Sequence, residues 1–166
     1  MGFKSPTGTA DIDYVTVPTL GNAQDFGDLT ASTRNFCCTS SSTRGIFVHG
    51  ADGNGPAETN IIDFINILSR GNAQDFGDAT TQTDSQASGC NAIRGIFAGG
   101  SPAGNDDQKV IEFITMANLG NAVDFGELSV QRTSAAGVSS PTRSVFAGGY
   151  TNPGSNHTTT IDYINN

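Results

Sequence analysis

Apolar positions along the chain fall in short bursts of alternating or continuous β-branched and aromatic residues, separated by runs of Gly, Asn, Ser, Thr and Pro. Asp11-Ile12-Asp13-Tyr14-Val15-Thr16-Val17 alternates with a period of two, the pattern of a half-buried strand, and Pro18 ends it. Arg44-Gly45-Ile46-Phe47-Val48-His49-Gly50 is short, apolar and closed by glycine, as an inner strand should be. Ile61–Ile67 reads as a further strand. The same two elements return at Ile93–Gly100 and Val110–Thr115, and again at Thr142–Gly149 and Thr160–Ile164. No window of ten or more residues carries clean helical apolar spacing.

These strands keep step with one octapeptide. Gly21-Asn22-Ala23-Gln24-Asp25-Phe26-Gly27-Asp28 recurs letter for letter at 71–78, and a third time as Gly120-Asn121-Ala122-Val123-Asp124-Phe125-Gly126-Glu127. The spacings are 50 and 49 residues, a period that marks solenoids, propellers or arrays. Arg44, Arg94 and Arg143 each lie 23 residues after the octapeptide's first glycine. Phe64, Phe113 and Tyr163 lie 43, 42 and 43 residues after it. Tyr14 precedes Gly21 by seven, as Phe64 precedes Gly71, so the N-terminal strand is a copy of the last strand of each unit. Two more β-prone runs, Leu29–Ser32 and Arg34–Thr39, precede the inner strand. Four short strands in about 50 residues, with length variation confined to loops, is the layout of a propeller blade. The expectation is an all-β repeat domain over residues 11–166, its repeats starting at 21, 71 and 120, after a flexible Gly/Ser/Pro/Thr-rich arm over residues 1–10.

Composition narrows the function. Charged residues are only 14%, Trp is absent and Gly numbers 21, a turn-rich β composition. The formal charge of −8 disfavours a phosphate-backbone partner, so no nucleic acid is expected. No apolar run approaches the 18 residues a membrane helix needs, and residues 1–7 carry neither a signal-peptide apolar region nor a myristoylation pattern, so no membrane insertion is expected. The three cysteines, Cys37, Cys38 and Cys90, are odd in number and do not recur between units, which favours small strand residues over a disulfide framework.

Candidate chemistry is sparse. Asp25 with Asp28, Asp75 with Asp78, and Asp124 with Glu127 set two carboxylates three apart in every unit. Oxygen-rich loops bind calcium, but beside Gly27, Gly77 and Gly126 the same residues suit an Asx turn that needs no metal. The latter reading is adopted, with Phe26, Phe76 and Phe125 packing unit on unit. Arg44, Arg94 and Arg143 read as structural, with Asp63, Glu112 and Asp162 as their expected partners. His49 and His157 occupy non-equivalent positions without a third ligand, and no serine or cysteine has a local base. No catalytic, metal or cofactor residues are therefore assigned, and the protein is not expected to be an enzyme. The loops at 51–60, 101–109 and 150–159 vary in sequence, as recognition loops on a repeated scaffold do. Tyr150, Asn152 and Asn156, with Asp106 and Asp107, are the candidates for contacting a sugar.

Ile96-Phe97-Ala98-Gly99-Gly100 and Val145-Phe146-Ala147-Gly148-Gly149 resemble the Gly-Gly strand of kelch-type β-propeller repeats. Phe64, Phe113 and Tyr163 stand at that family's Tyr position, Phe26, Phe76 and Phe125 at its outer Trp, and Arg132 at its Arg-Ser-Gly start. The chain departs from the pattern in lacking Trp and in carrying His49-Gly50. More narrowly, the Gly-Asn-Ala-x-Asp-Phe-Gly-Asp markers and the Arg-x-(Ile/Val)-Phe runs resemble kelch-like repeats in virion proteins of tailed phages of marine bacteria, cyanophages especially. The resemblance implies a non-enzymatic virion structural protein, made in the host cytoplasm, tail- or capsid-associated, with assembly and host-surface contact as its roles. The alternative is a glycan-binding β-propeller module. With strands named a to d from axis to rim, the sequence reads c-d, two complete blades, then a-b-c, fewer than the four to eight blades of a propeller. The expected partners are further copies completing the ring (two copies supply about six blades, a three-fold assembly being the competing geometry) and other virion proteins.

Overall fold

The computed structural model describes residues 8–48, 50–52, 57–102, 107–152 and 156–166. His49, Asp106 and residues 1–7 of the expected arm lie outside them. The described chain is all β, arranged in several small antiparallel sheets.

β1 (Thr9–Tyr14) and β2 (Gln24–Arg34) form the first hairpin. β3 (Cys37–Ser40) and β4 (Arg44–Val48) follow, and β5 (Ala51–Asp52) turns back to pair with the end of β2. β6 (Ile61–Asn66) and β7 (Gln74–Asp78) complete a four-stranded sheet of order β3-β4-β6-β7. β8 (Ala87–Cys90), β9 (Arg94–Ala98), β10 (Val110–Thr115) and β11 (Val123–Glu127) repeat that order in a second sheet. β12 (Ala136–Ser140), β13 (Arg143–Ala147) and β16 (Ile161–Asn165) make a three-stranded sheet. The connection between the last two is folded into a small hairpin of β14 (Tyr150–Thr151) and β15 (Asn156–His157).

The strands of each four-stranded sheet are laid down in chain order and every neighbouring pair is antiparallel. The apolar core lies between consecutive sheets. Ile46, Val48, Ile62 and Phe76 pack with Phe97 and Ile114 of the next sheet. Ala87, Ile96, Ile111 and Leu128 pack in turn with Phe146. Phe26 and Leu29 of the first hairpin pack with Ile65 and Ala73. Each fully buried Ile or Phe contributes about 1.5–3 kcal/mol, so the repeats are stabilised by stacking rather than alone.

Four boundaries differ from the sequence expectation. The octapeptide is more than a repeat marker with an Asx turn: its second half is the outer strand itself, as β7 and β11 show. Leu29–Ser32 fuses into β2 rather than forming a strand of its own, and the next strand starts at Cys37 rather than Arg34. Asn35 interrupts there with a left-handed φ of 55°, as Ser85 and Ser134 do at 54° in the equivalent positions. β1 already includes Thr9 and Ala10, because Thr9 finds a backbone partner in Thr33 of the long β2.

Candidate functional site

The recurring residues converge on the seams between sheets. The first half of the second and of the third octapeptide grips the second half of the one before it. Gly71 N–H donates to the Phe26 carbonyl at 2.9 Å and Ala73 N–H to that of Asp28 at 2.7 Å. Asn72 Oδ1 accepts from the Asp28 N–H at 3.2 Å. One unit on, Gly120 donates to Phe76 at 2.9 Å, Ala122 to Asp78 at 2.8 Å, and Asn121 Oδ1 accepts from the Asp78 N–H at 3.1 Å. The expected Asx turns form at Asp75 and Asp124, whose Oδ1 atoms accept from Gly77 and Gly126 N–H at 3.0 Å.

A second seam uses the carboxylates. Asp63 and Glu112 are fully buried. Asp63 accepts from the Thr30 N–H and hydroxyl at 2.8 Å, and Glu112 from those of Thr80 at 2.7 and 2.6 Å. Gln86 Nε2 donates to the other Glu112 oxygen at 3.2 Å. Asp162 accepts from the Ser129 N–H at 3.1 Å. Thr30, Thr80 and Ser129 each lie nine residues after their octapeptide's first glycine, and in each case the carboxylate they meet stands on a strand of the following sheet, β6, β10 or β16.

The repeat arginines do not pair with these carboxylates, contrary to the sequence expectation. The side chains alternate across a strand, which places the carboxylate and the adjacent aromatic on opposite faces. The arginines instead cover the aromatics: Arg44 Cζ lies 5.0 Å from the Phe64 ring centroid, Arg94 4.4 Å from Phe113, and Arg143 4.7 Å from Tyr163. Arg44 Nη1 also donates to the Met116 carbonyl of the next unit at 2.6 Å. Phe76 and Phe125 meet the rings of Phe64 and Phe113 edge-on at 6.0 and 6.2 Å, and Phe26 meets Tyr14 in the same way at 6.0 Å. Arg70, from the corner of the following unit, stands 5.6 Å over Tyr14.

Sequence reasoning missed the role of Arg132. It sits where the other units have Thr33 and Thr83, is fully buried, and its Nη2 meets Asp162 Oδ2 at 2.7 Å and the Phe146 carbonyl at 3.3 Å. The signal was a lone basic residue at a register position held by threonine elsewhere. Of the candidate ligand loop, Tyr150 is half-buried with its backbone bonded to Thr133, and the Asn152 N–H donates to Asp107 Oδ2 at 2.6 Å. Asn156 is exposed beside His157 on β15.

Burial, with Cys38 and Glu112 adding to it, pushes the Cys37 thiol far above its ordinary value, and burial raises that of Cys38. A concavity of about 600 Å³ opens inside the corner of the second unit, lined by Phe64, Asn66, Ser69, Arg70, Asn72 and Gln74. The equivalent corner of the first unit is closed to about 70 Å³ by the Tyr14 hydroxyl donating to Gln24 Oε1 at 2.6 Å. Among the described residues no group of three or more His, Cys, Asp or Glu is placed to hold a metal ion, and no helix is long and apolar enough to cross a membrane.

No family model matches the chain, and no curated protein does. Among solved structures it is similar to that of YjhT, with a TM-score of 0.67 at 12% sequence identity over 80% of this chain. The match spans 42% of the YjhT chain, so this chain is similar to less than half of that protein, and the likeness is one of fold alone.

Proposed function

We propose that this chain is a non-enzymatic structural protein of a tailed-phage virion, built from kelch-like propeller blades that assemble with further copies and with other virion proteins. The observation that supports it is where the recurring polar residues are used. The Gly-Asn-Ala corners, the buried Asp63 and Glu112, and Arg44 all bond across from one sheet to the next. A repeat whose distinctive residues hold sheet to sheet is a scaffold repeat. Consecutive antiparallel strands with a core between sheets are also what propeller blades require. The narrow resemblance to virion repeats supplies the setting.

Analytical ultracentrifugation, negative-stain microscopy of the purified protein and mass spectrometry of purified marine tailed-phage particles test this reading. The expected result is a ring-shaped oligomer whose peptides occur in virions. A protein that stays monomeric at all concentrations and is missing from such particles overturns it. The second reading, a glycan-binding module, is favoured by the exposed Asn156 on the β14–β15 hairpin. Glycan-array binding that disappears on changing Tyr150, Asn152 and Asn156 would establish that reading in place of the first.

A further inference from the structure

β1 and β16 are two versions of one strand. Ile12-Asp13-Tyr14 and Ile161-Asp162-Tyr163 are identical, and both correspond to Ile62-Asp63-Phe64 of β6 and Ile111-Glu112-Phe113 of β10. In the four-stranded sheets that strand is flanked on both sides, by β4 and β7 or by β9 and β11. Among the described residues β1 has only the outer neighbour, β2, and β16 only the inner one, β13.

The β1–β2 register reproduces β6–β7 position by position. Ile12 stands opposite Gly27 as Ile62 stands opposite Gly77, Asp13 opposite Asp25 as Asp63 opposite Asp75, and Tyr14 opposite Gln24 as Phe64 opposite Gln74, with the bulge at the same place. β2 and β7 both carry Gln-Asp-Phe-Gly-Asp. The edge that β16 leaves open is therefore complementary to β2, whose matching edge β1 already occupies.

β1 fills that place less well than its equivalents do. Asp11 stands opposite Asp28, where the other sheets set Ile61 opposite Asp78 and Val110 opposite Glu127. Like charges directly opposed destabilise a strand pair. Immediately before β16 the corresponding residue is the neutral Thr160. On β16, Ile161 and Tyr163 are 68% and 61% exposed, whereas Ile62 is fully buried in its sheet.

Building on the assembly reading above, we propose that β16 of one copy replaces β1 on β2 of a second copy, so that strand exchange joins copies head to tail. Ile161 then stands opposite Gly27 of the second copy, Asp162 opposite Asp25 and Tyr163 opposite Gln24. Phe26 meets the Tyr163 ring edge-on, as Phe76 meets Phe64, while Arg143 keeps its place over Tyr163. The exchange is one strand for one strand. It removes the Asp11–Asp28 opposition and covers Ile161 and Tyr163.

Two cysteine designs test it, in the full chain with Cys37, Cys38 and Cys90 replaced by alanine. Tyr14→Cys with Gln24→Cys locks β1 onto β2 within one copy. The expected result is loss of the oligomer on oxidation and its return on reduction, followed by ultracentrifugation with circular dichroism as a folding control. Separately, Tyr163→Cys and Gln24→Cys single variants are mixed and oxidised. A covalent heterodimer on a non-reducing gel is expected, formed at least tenfold more than with Val138→Cys in place of Tyr163→Cys. An oligomer that persists in the locked protein, or no 163–24 crosslink, overturns strand exchange while leaving assembly intact. A wild-type chain that is monomeric throughout overturns both.

Discussion

The backbone oxygen of Gly120 lies 2.6 Å from where a Cβ on Gly77 would stand, and that of Gly71 lies 2.5 Å from the same point on Gly27. Both distances are shorter than any Cβ tolerates against backbone. Gly126, the third equivalent, has open space within 4 Å. All three share φ near +147°, so each pays for a side chain in backbone strain, but only two pay in collision. Gly126→Ala should therefore cost about 1–2 kcal/mol, and Gly77→Ala about 3 kcal/mol or more. Urea unfolding of the two variants checks the difference, and equal costs would contradict the grip between octapeptides.

Glu112, like Asp63, is a fully buried seam carboxylate. Replacing it with alanine strands the Thr80 N–H and the Gln86 amide, with an expected loss of about 3 kcal/mol. Glu112→Gln keeps one acceptor for Thr80 and should lose about 1 kcal/mol. Denaturant midpoints at constant slope are the readout.

Arg44 and Arg94 occupy the same register position with different surroundings. Both cover an aromatic ring, worth about 0.5–1 kcal/mol, but Arg44 adds a bond to the Met116 carbonyl. Arg44→Met should thus be more destabilising than Arg94→Met by about 1–2 kcal/mol. A Phe64→Leu/Arg44→Met double-mutant cycle isolates the stacking part.

Cys37 titrates above its ordinary value because burial opposes the thiolate. Its alkylation should stay slow at pH 8, where an exposed thiol reacts freely. The sign for stability follows. The folded pKa is raised, so the unfolded chain loses this proton first and the native state's advantage is full below the thiol's ordinary value of 9.0. Melting temperature should fall as pH rises above about 9, and Cys37→Ala should flatten that decline. An unchanged decline in Cys37→Ala would show that another group causes it.

The repeat and its register were legible because the octapeptide recurs almost unchanged and strand alternation is a local property of the chain. The role of Gly77 and Asp75 in a turn was legible for the same reason. The carboxylate clamps were not. Thr30 and Asp63 are 33 residues apart, and only the stacking of one sheet on the next brings them within 2.8 Å. The same holds for Arg44 and Phe64, which share a sheet face only once the β4–β6 register sets Ile46 opposite Phe64.

By itself, then, the sequence determined an all-β chain, a period of about 50 residues and the positions of the strands β4, β6, β9, β10, β13 and β16, since those depend on neighbours within a few residues. Tertiary structure alone decided which donor meets which carboxylate, why Arg132 replaces a threonine, and why Gly27 and Gly77 are crowded while Gly126 is not. Those outcomes depend on how far one sheet is turned and shifted against the next, a quantity that no local pattern encodes.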